Sequence, residues 1–86
     1  MSQDAGARYR EEIRAYLAAA HGGGPSGIGD DDPLLGDLLD SMGVLGLATH
    51  LEETYGISIG AHEMDPANFG TLRAIAAFVA KKAAGA

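Results

Sequence analysis

The sequence predicts an all-α fold: a small four-helix bundle of three longer helices and one short one, with a long loop between helices 1 and 2. Three observations carry that expectation. Apolar residues recur at helical spacing in four stretches, nothing alternates convincingly as a strand, and "HGGGPSG" breaks the chain after the first stretch. Eighty-six residues make one domain at most, expected to place its core at about 7–82 and to fray at 1–5 and 83–86. Such a core is large enough to fold but too small to wall off a deep active site.

The first helix is expected from about Gly6 to Ala20, where Tyr9, Ile13, Tyr16, Leu17 and Ala20 form one stripe. His21 to Leu39 is then a long connection. Long loops in small domains need a reason, and Leu34, Leu35, Leu38 and Leu39 supply one by anchoring the loop to the core. The second helix is expected from about Ser41 to Tyr55, with Val44, Leu47, Ala48, Leu51 and Tyr55 inward and Gly56 as its stop. "ISI" reads as an extended segment that feeds the core, since it has no partner strand. A short third helix is placed at about His62 to Asp65, interrupted near Pro66, with "PANFG" as a turn and Phe69 inward. Thr71 caps a last helix reaching about Lys82, with Leu72, Ile75, Ala76 and Val79 on its apolar face.

Composition excludes several functions. The absence of cysteine removes disulfides, thiolate metal sites and a thiol nucleophile from the polypeptide. No stretch approaches membrane-spanning length, and the N-terminus lacks the apolar core of a signal peptide, so a cytoplasmic protein is expected, with no membrane partner. The formal charge is −6, and all six Lys and Arg lie at positions 8–14 and 73–82. Nine acids occupy the interval between Arg14 and Arg73. This middle repels nucleic acid and attracts partners that carry Arg and Lys; its bland reading is that it keeps a small domain in solution. "DDDPLLGD" fails as a calcium loop, because Leu34 and Leu35 fall where that motif needs a ligand and a glycine. His21, His50 and His62 have no metal-site spacing.

Ser41, between Asp40 and Met42, has three readings. Either it or Asp40 caps the second helix. Alternatively it is a hydrolase nucleophile, which requires a base, an orienting acid and an oxyanion hole. His50 lies about 13 Å along the same helix, and no G-x-S-x-G elbow is present. In the third reading Ser41 is the substrate of a visiting enzyme. A helix N-terminus favours a phosphate ester, and no local base is then needed.

"LLDSMGVLGLATHLEETYGISI" resembles the attachment region of the acyl carrier and peptidyl carrier protein family. Asp40, Ser41 and Met42 take the three positions of its Asp-Ser-Leu motif, with Met42 in place of the leucine, Glu52 and Glu53 those of its acidic pair, and Tyr55 that of its aromatic. The likeness extends over roughly residues 7 to 82. It implies that the chain is not an enzyme but a discrete carrier and the substrate of a phosphopantetheinyl transferase. Ser41 would receive 4'-phosphopantetheine from coenzyme A, whose thiol holds acyl or aminoacyl cargo as thioesters. The implied partners are that transferase, an acyl- or aminoacyl-loading enzyme, and synthase, ketosynthase or condensation-type enzymes, all meeting a monomer.

Two departures stand out. Gly43 and Gly46 occupy positions of the second helix that in the family commonly hold acids, and Thr54 replaces another. Docking is therefore expected to rest on Met42 and Leu45 as apolar contacts, steered by Asp37, Asp40, Glu52 and Glu53. These departures point to a specialised pathway of polyketide or nonribosomal-peptide type over primary fatty-acid synthesis. Leu47, Leu51, Ile59, Met64 and Ile75 are candidates for a cargo pocket and equally for plain core. The competing function is an unmodified helical domain whose acidic middle binds a basic partner.

Overall fold

A computed structural model describes residues 5–20, 28–36 and 39–85. The expected tail at 1–4, most of the loop's Gly-rich start with His21, and Asp37 and Leu38 lie outside the described residues. The chain runs α1 (Ala5–Ala20), α2 (Ser41–Tyr55), a 3-10 turn (Ala61–Glu63), α3 (Pro66–Phe69) and α4 (Leu72–Gly85). The described residues contain no strand, only an isolated bridge between Leu35 and Leu39. The all-α bundle of the sequence reading is the observed fold.

α4 is the element on which α1, α2 and α3 all pack. Its Leu72, Ile75, Ala76 and Val79 have no exposed surface, and Leu72, Ile75 and Val79 meet Ile13 and Leu17 of α1, Leu47 and Leu51 of α2, and Phe69 of α3 in one cluster. Fully burying a Leu or Phe side chain contributes about 1.5–3 kcal/mol, so this cluster is the main stabilising term. Thr71 Oγ1 accepts the Ala74 N–H at 3.1 Å and caps α4 as expected. The helix continues to Gly85, past the Lys82 boundary and through most of the expected C-terminal fray, because Ala83 still packs against the core.

α2 has the expected bounds. Leu47, Ala48 and Leu51 are buried, while Val44 and Tyr55 are only partly covered. Gly56 ends it in the left-handed conformation at φ 67°, its N–H bonded to the Glu52 carbonyl. Ile57 and Ile59 point inward on either side of an exposed Ser58, as an extended core-feeding segment requires.

The third helix needs correction. Residues 61–63 form only a 3-10 turn, and the α-helical turn begins at Pro66, where an interruption was expected. Proline has no N–H to lose at the first helical position, and Asp65 Oδ1 caps it by accepting the Asn68 N–H at 3.0 Å. Phe69 is buried as expected.

The loop before α2 is held by leucines and by charge. Leu34 and Leu39 are buried and Leu35 packs against the core. The Leu34 N–H donates to the Gly70 carbonyl at 2.8 Å, and the Arg73 N–H to the Asp30 carbonyl at 2.9 Å. Arg10 (3.0 Å), Arg14 and Arg73 (3.9 Å) surround the Asp30 carboxylate. Arg73 also grips both oxygens of Asp31, at 2.8 and 3.1 Å, which holds the Asp31 carboxyl below its usual pKa.

Candidate functional site

Asp40, not Ser41, is the N-cap of α2. Its extended backbone (φ −87°, ψ −173°) lets Oδ1 accept the Gly43 N–H at 2.8 Å, and its carbonyl accepts the Val44 N–H at 2.9 Å. This cap is made without the neighbouring hydroxyl. Ser41 becomes the first helical residue, exposed to solvent, and its hydroxyl makes no hydrogen bond among the described residues. The approach to it is shaped by Gly36, whose φ of 106° suits only glycine and turns the chain so that its N–H meets the Leu39 carbonyl at 2.9 Å.

An open groove starts at Ser41. Leu35, Leu39, Val44 and Leu45 line it from the loop and α2, and Ala61 and Met64 line it from around the 3-10 turn. Asp40 is the one ionisable residue among its described lining. An apolar trough beginning at a free hydroxyl can receive a flexible arm attached there, so the residues present fit a covalent prosthetic group.

The other sequence-derived candidates are distributed as follows. Met42 (74% exposed) and Leu45 (50%) flank the site and are the exposed large hydrophobics among the described residues. Glu53 is exposed, but Glu52 is partly buried and its Oε2 accepts the Ile59 N–H at 2.8 Å, tying α2 to the extended segment. Asp37 lies outside the described residues. Of the cargo-pocket candidates, Leu47, Leu51, Ile59 and Ile75 belong to the closed core, and Met64 alone lines the groove.

No hydrogen bond joins Ser41 to a histidine among the described residues. His50 is stacked on Tyr16 (centroids 4.0 Å apart, 14° between planes) and faces Thr54 Oγ1 at 3.4 Å. His62 is exposed on the 3-10 turn. No group of His, Asp or Glu able to hold a metal occurs among the described residues, and no described helix is long and apolar enough to cross a membrane.

Sequence reasoning missed how much of the acidic middle is spent inside the molecule. Asp30 and Asp31 pair with arginines, and Glu63 pairs with Lys82 at 2.8 Å while accepting the Gly60 N–H at 2.9 Å. Lys82, then the Gly60 amide, hold the Glu63 carboxyl below its usual pKa. Glu12 bonds the Tyr55 hydroxyl, which lowers the Glu12 pKa; burial, then that bond, raises the Tyr55 pKa. Arg10 and Arg14, one turn apart on α1, were the available signal for the Asp30 contacts.

A family model described as the phosphopantetheine attachment site matches residues 11–79. No individual curated protein matches the chain. With a capped helix, a bare serine at its first residue and a groove beside it, the chain belongs to the family of domains that carry covalent 4'-phosphopantetheine.

Proposed function

We propose that Ser41 is the attachment residue and that the chain carries thioester intermediates for a specialised pathway of polyketide or nonribosomal-peptide type. The observation that carries this reading is the division of labour at α2: Asp40 accepts the Gly43 and Val44 N–H groups, and Ser41 is left exposed. The Ser41 oxygen attacks the pyrophosphate of coenzyme A, forming the phosphodiester and releasing adenosine 3',5'-bisphosphate. The transferase supplies the base that takes the hydroxyl proton. Once attached, the group offers a terminal thiol to acyl or aminoacyl cargo.

Loading and synthase enzymes dock around Met42 and Leu45, steered by Asp37, Asp40 and Glu53. Gly46 is exposed and Gly43 half-buried on this surface, which keeps it flat. Apolar contact then outweighs charge in recognition, and this is the feature that favours a specialised pathway. Glu52 is a poor reporter of docking, since its removal frees the Ile59 N–H.

Incubation with coenzyme A and a broad-specificity transferase, followed by intact mass measurement, tests the assignment. One phosphopantetheine is expected on the wild type and none on Ser41→Ala. An unchanged wild-type mass in folded protein would favour the unmodified interaction domain.

A further inference from the structure

The 3-10 turn is a wall shared by two grooves. Ala61 and Met64 face the trough that starts at Ser41. Glu63, between them in sequence, faces the opposite groove along α4, where it meets Lys82. The turn is three residues long and closes only a few backbone bonds of its own: Glu63 N–H to Gly60 carbonyl at 2.9 Å and Met64 N–H to Ala61 carbonyl at 3.1 Å. A segment this short is marginal alone, so its position depends on what grips it from outside.

Glu63 supplies that grip. Its Oε1 accepts both the Gly60 N–H and the Lys82 ammonium, and its carbonyl accepts Asn68 Nδ2 at 2.9 Å. Both partners of the ion pair are partly buried, with side chains 30% and 23% exposed, which makes it less screened than a typical surface pair. Lys82 is itself seated, its Nζ 5.5 Å from the centroid of the Phe78 ring. The rigid central helix thereby fixes one wall of the attachment groove.

We propose that Lys82 is a positioning residue for the attachment groove, acting through Glu63 on the wall formed by Ala61 and Met64. The proposal rests on the carrier reading of Ser41. Replacing the ammonium loosens this wall and lets an arm at Ser41 leave the groove, although Lys82 touches neither.

The test uses Lys82→Met, which keeps an apolar stem over Phe78 and removes the charge, alongside Lys82→Arg and the remote ion-pair variant Arg8→Met. Methyl NMR of Ala61 and Met64 is recorded before and after Ser41 is loaded with phosphopantetheine, and again after acylation with a hexanoyl group. Loading is expected to shift both methyls in the wild type and in Lys82→Arg, and by less than half as much in Lys82→Met. Amide exchange at Glu63 and Met64 should rise roughly fivefold in Lys82→Met. Arg8→Met should match the wild type in both readouts. Equal loading shifts in wild type and Lys82→Met, or no loading shift in the wild type, would overturn the proposal. Intact mass keeps the two readings apart: absence of the modification on wild type counts against the carrier assignment. Unchanged exchange in Lys82→Met counts against the positioning role of Lys82 whether or not Ser41 is modified.

Discussion

The two ends of the described stretch that precedes α2 are built on opposite plans. At Asp30 three arginines from α1 and α4 converge on one carboxylate, and Arg14 Nε also bonds the Ile28 carbonyl at 2.9 Å. At Ser41, a short way along the same loop, one carboxylate caps a helix and the next hydroxyl has no described partner. The first end is a scaffold in which polar groups satisfy one another. The second carries a helix cap and, beside it, an exposed hydroxyl. A residue's worth to stability and its worth to function are therefore expected to separate along these few residues.

The largest effect should come from breaking the scaffold end. Asp30→Ala removes the carboxylate shared by Arg73 and by Arg10 and Arg14, whose side chains are only 19% exposed. Urea denaturation should show a loss of about 2 kcal/mol, while the folded fraction is still modified at Ser41. Asp40→Ala should cost about 1 kcal/mol through the lost cap, and Asp40→Asn only a few tenths. Unlike Asp30→Ala, it should slow modification measurably in a transferase assay, since it disturbs the residue beside the acceptor.

Gly46→Ala should stabilise by up to about 1 kcal/mol, because an added Cβ meets only the Tyr16 hydroxyl, at 3.8 Å. Gly43→Ala should gain less, its Cβ falling 3.3 Å from both Asp40 Oδ1 and Leu39 Cδ2. Thermal melts of the two variants would sharpen the comparison within the open end itself.

The pH response should be the mildest sign of the same asymmetry. Asp31 at the scaffold end, Glu12 and Glu63 all titrate below their ordinary values, each held by a hydrogen bond within the fold. Their contribution is present above the normal carboxylate range and is lost as pH falls through the depressed values. Tyr55 is shifted upward, so its contribution holds below about pH 10 and is lost on further alkalinisation. Glu12→Gln, which weakens the link to Tyr55, should flatten both limbs slightly in melts recorded against pH.

Local signals made most of this legible. The bounds of α2 followed from Asp40, Ser41 and Gly56, and the core of α4 from the spacing of Leu72, Ile75, Ala76 and Val79. Pro66 misled because proline breaks a helix interior yet suits a first turn, and sequence alone did not fix which position it held. The ion pairs were hidden for another reason. Arg73 and Asp31 are 42 residues apart, and nothing local reports such a meeting. Glu52 looked like a docking charge because its acceptance of the Ile59 N–H depends on how the chain turns after Gly56.

The central place of α4 has a temporal consequence. Residues 72–79 emerge from the ribosome after every segment they bury, so α1 and α2 lack their packing partner until those residues are made. Nascent chains should stay unstructured up to that point, and the contacts of α1 with α4 span more than fifty positions, which slows closure for a helical protein of this size. An arm on Ser41 should then be attached only after residues 72–79 have emerged and the bundle has closed.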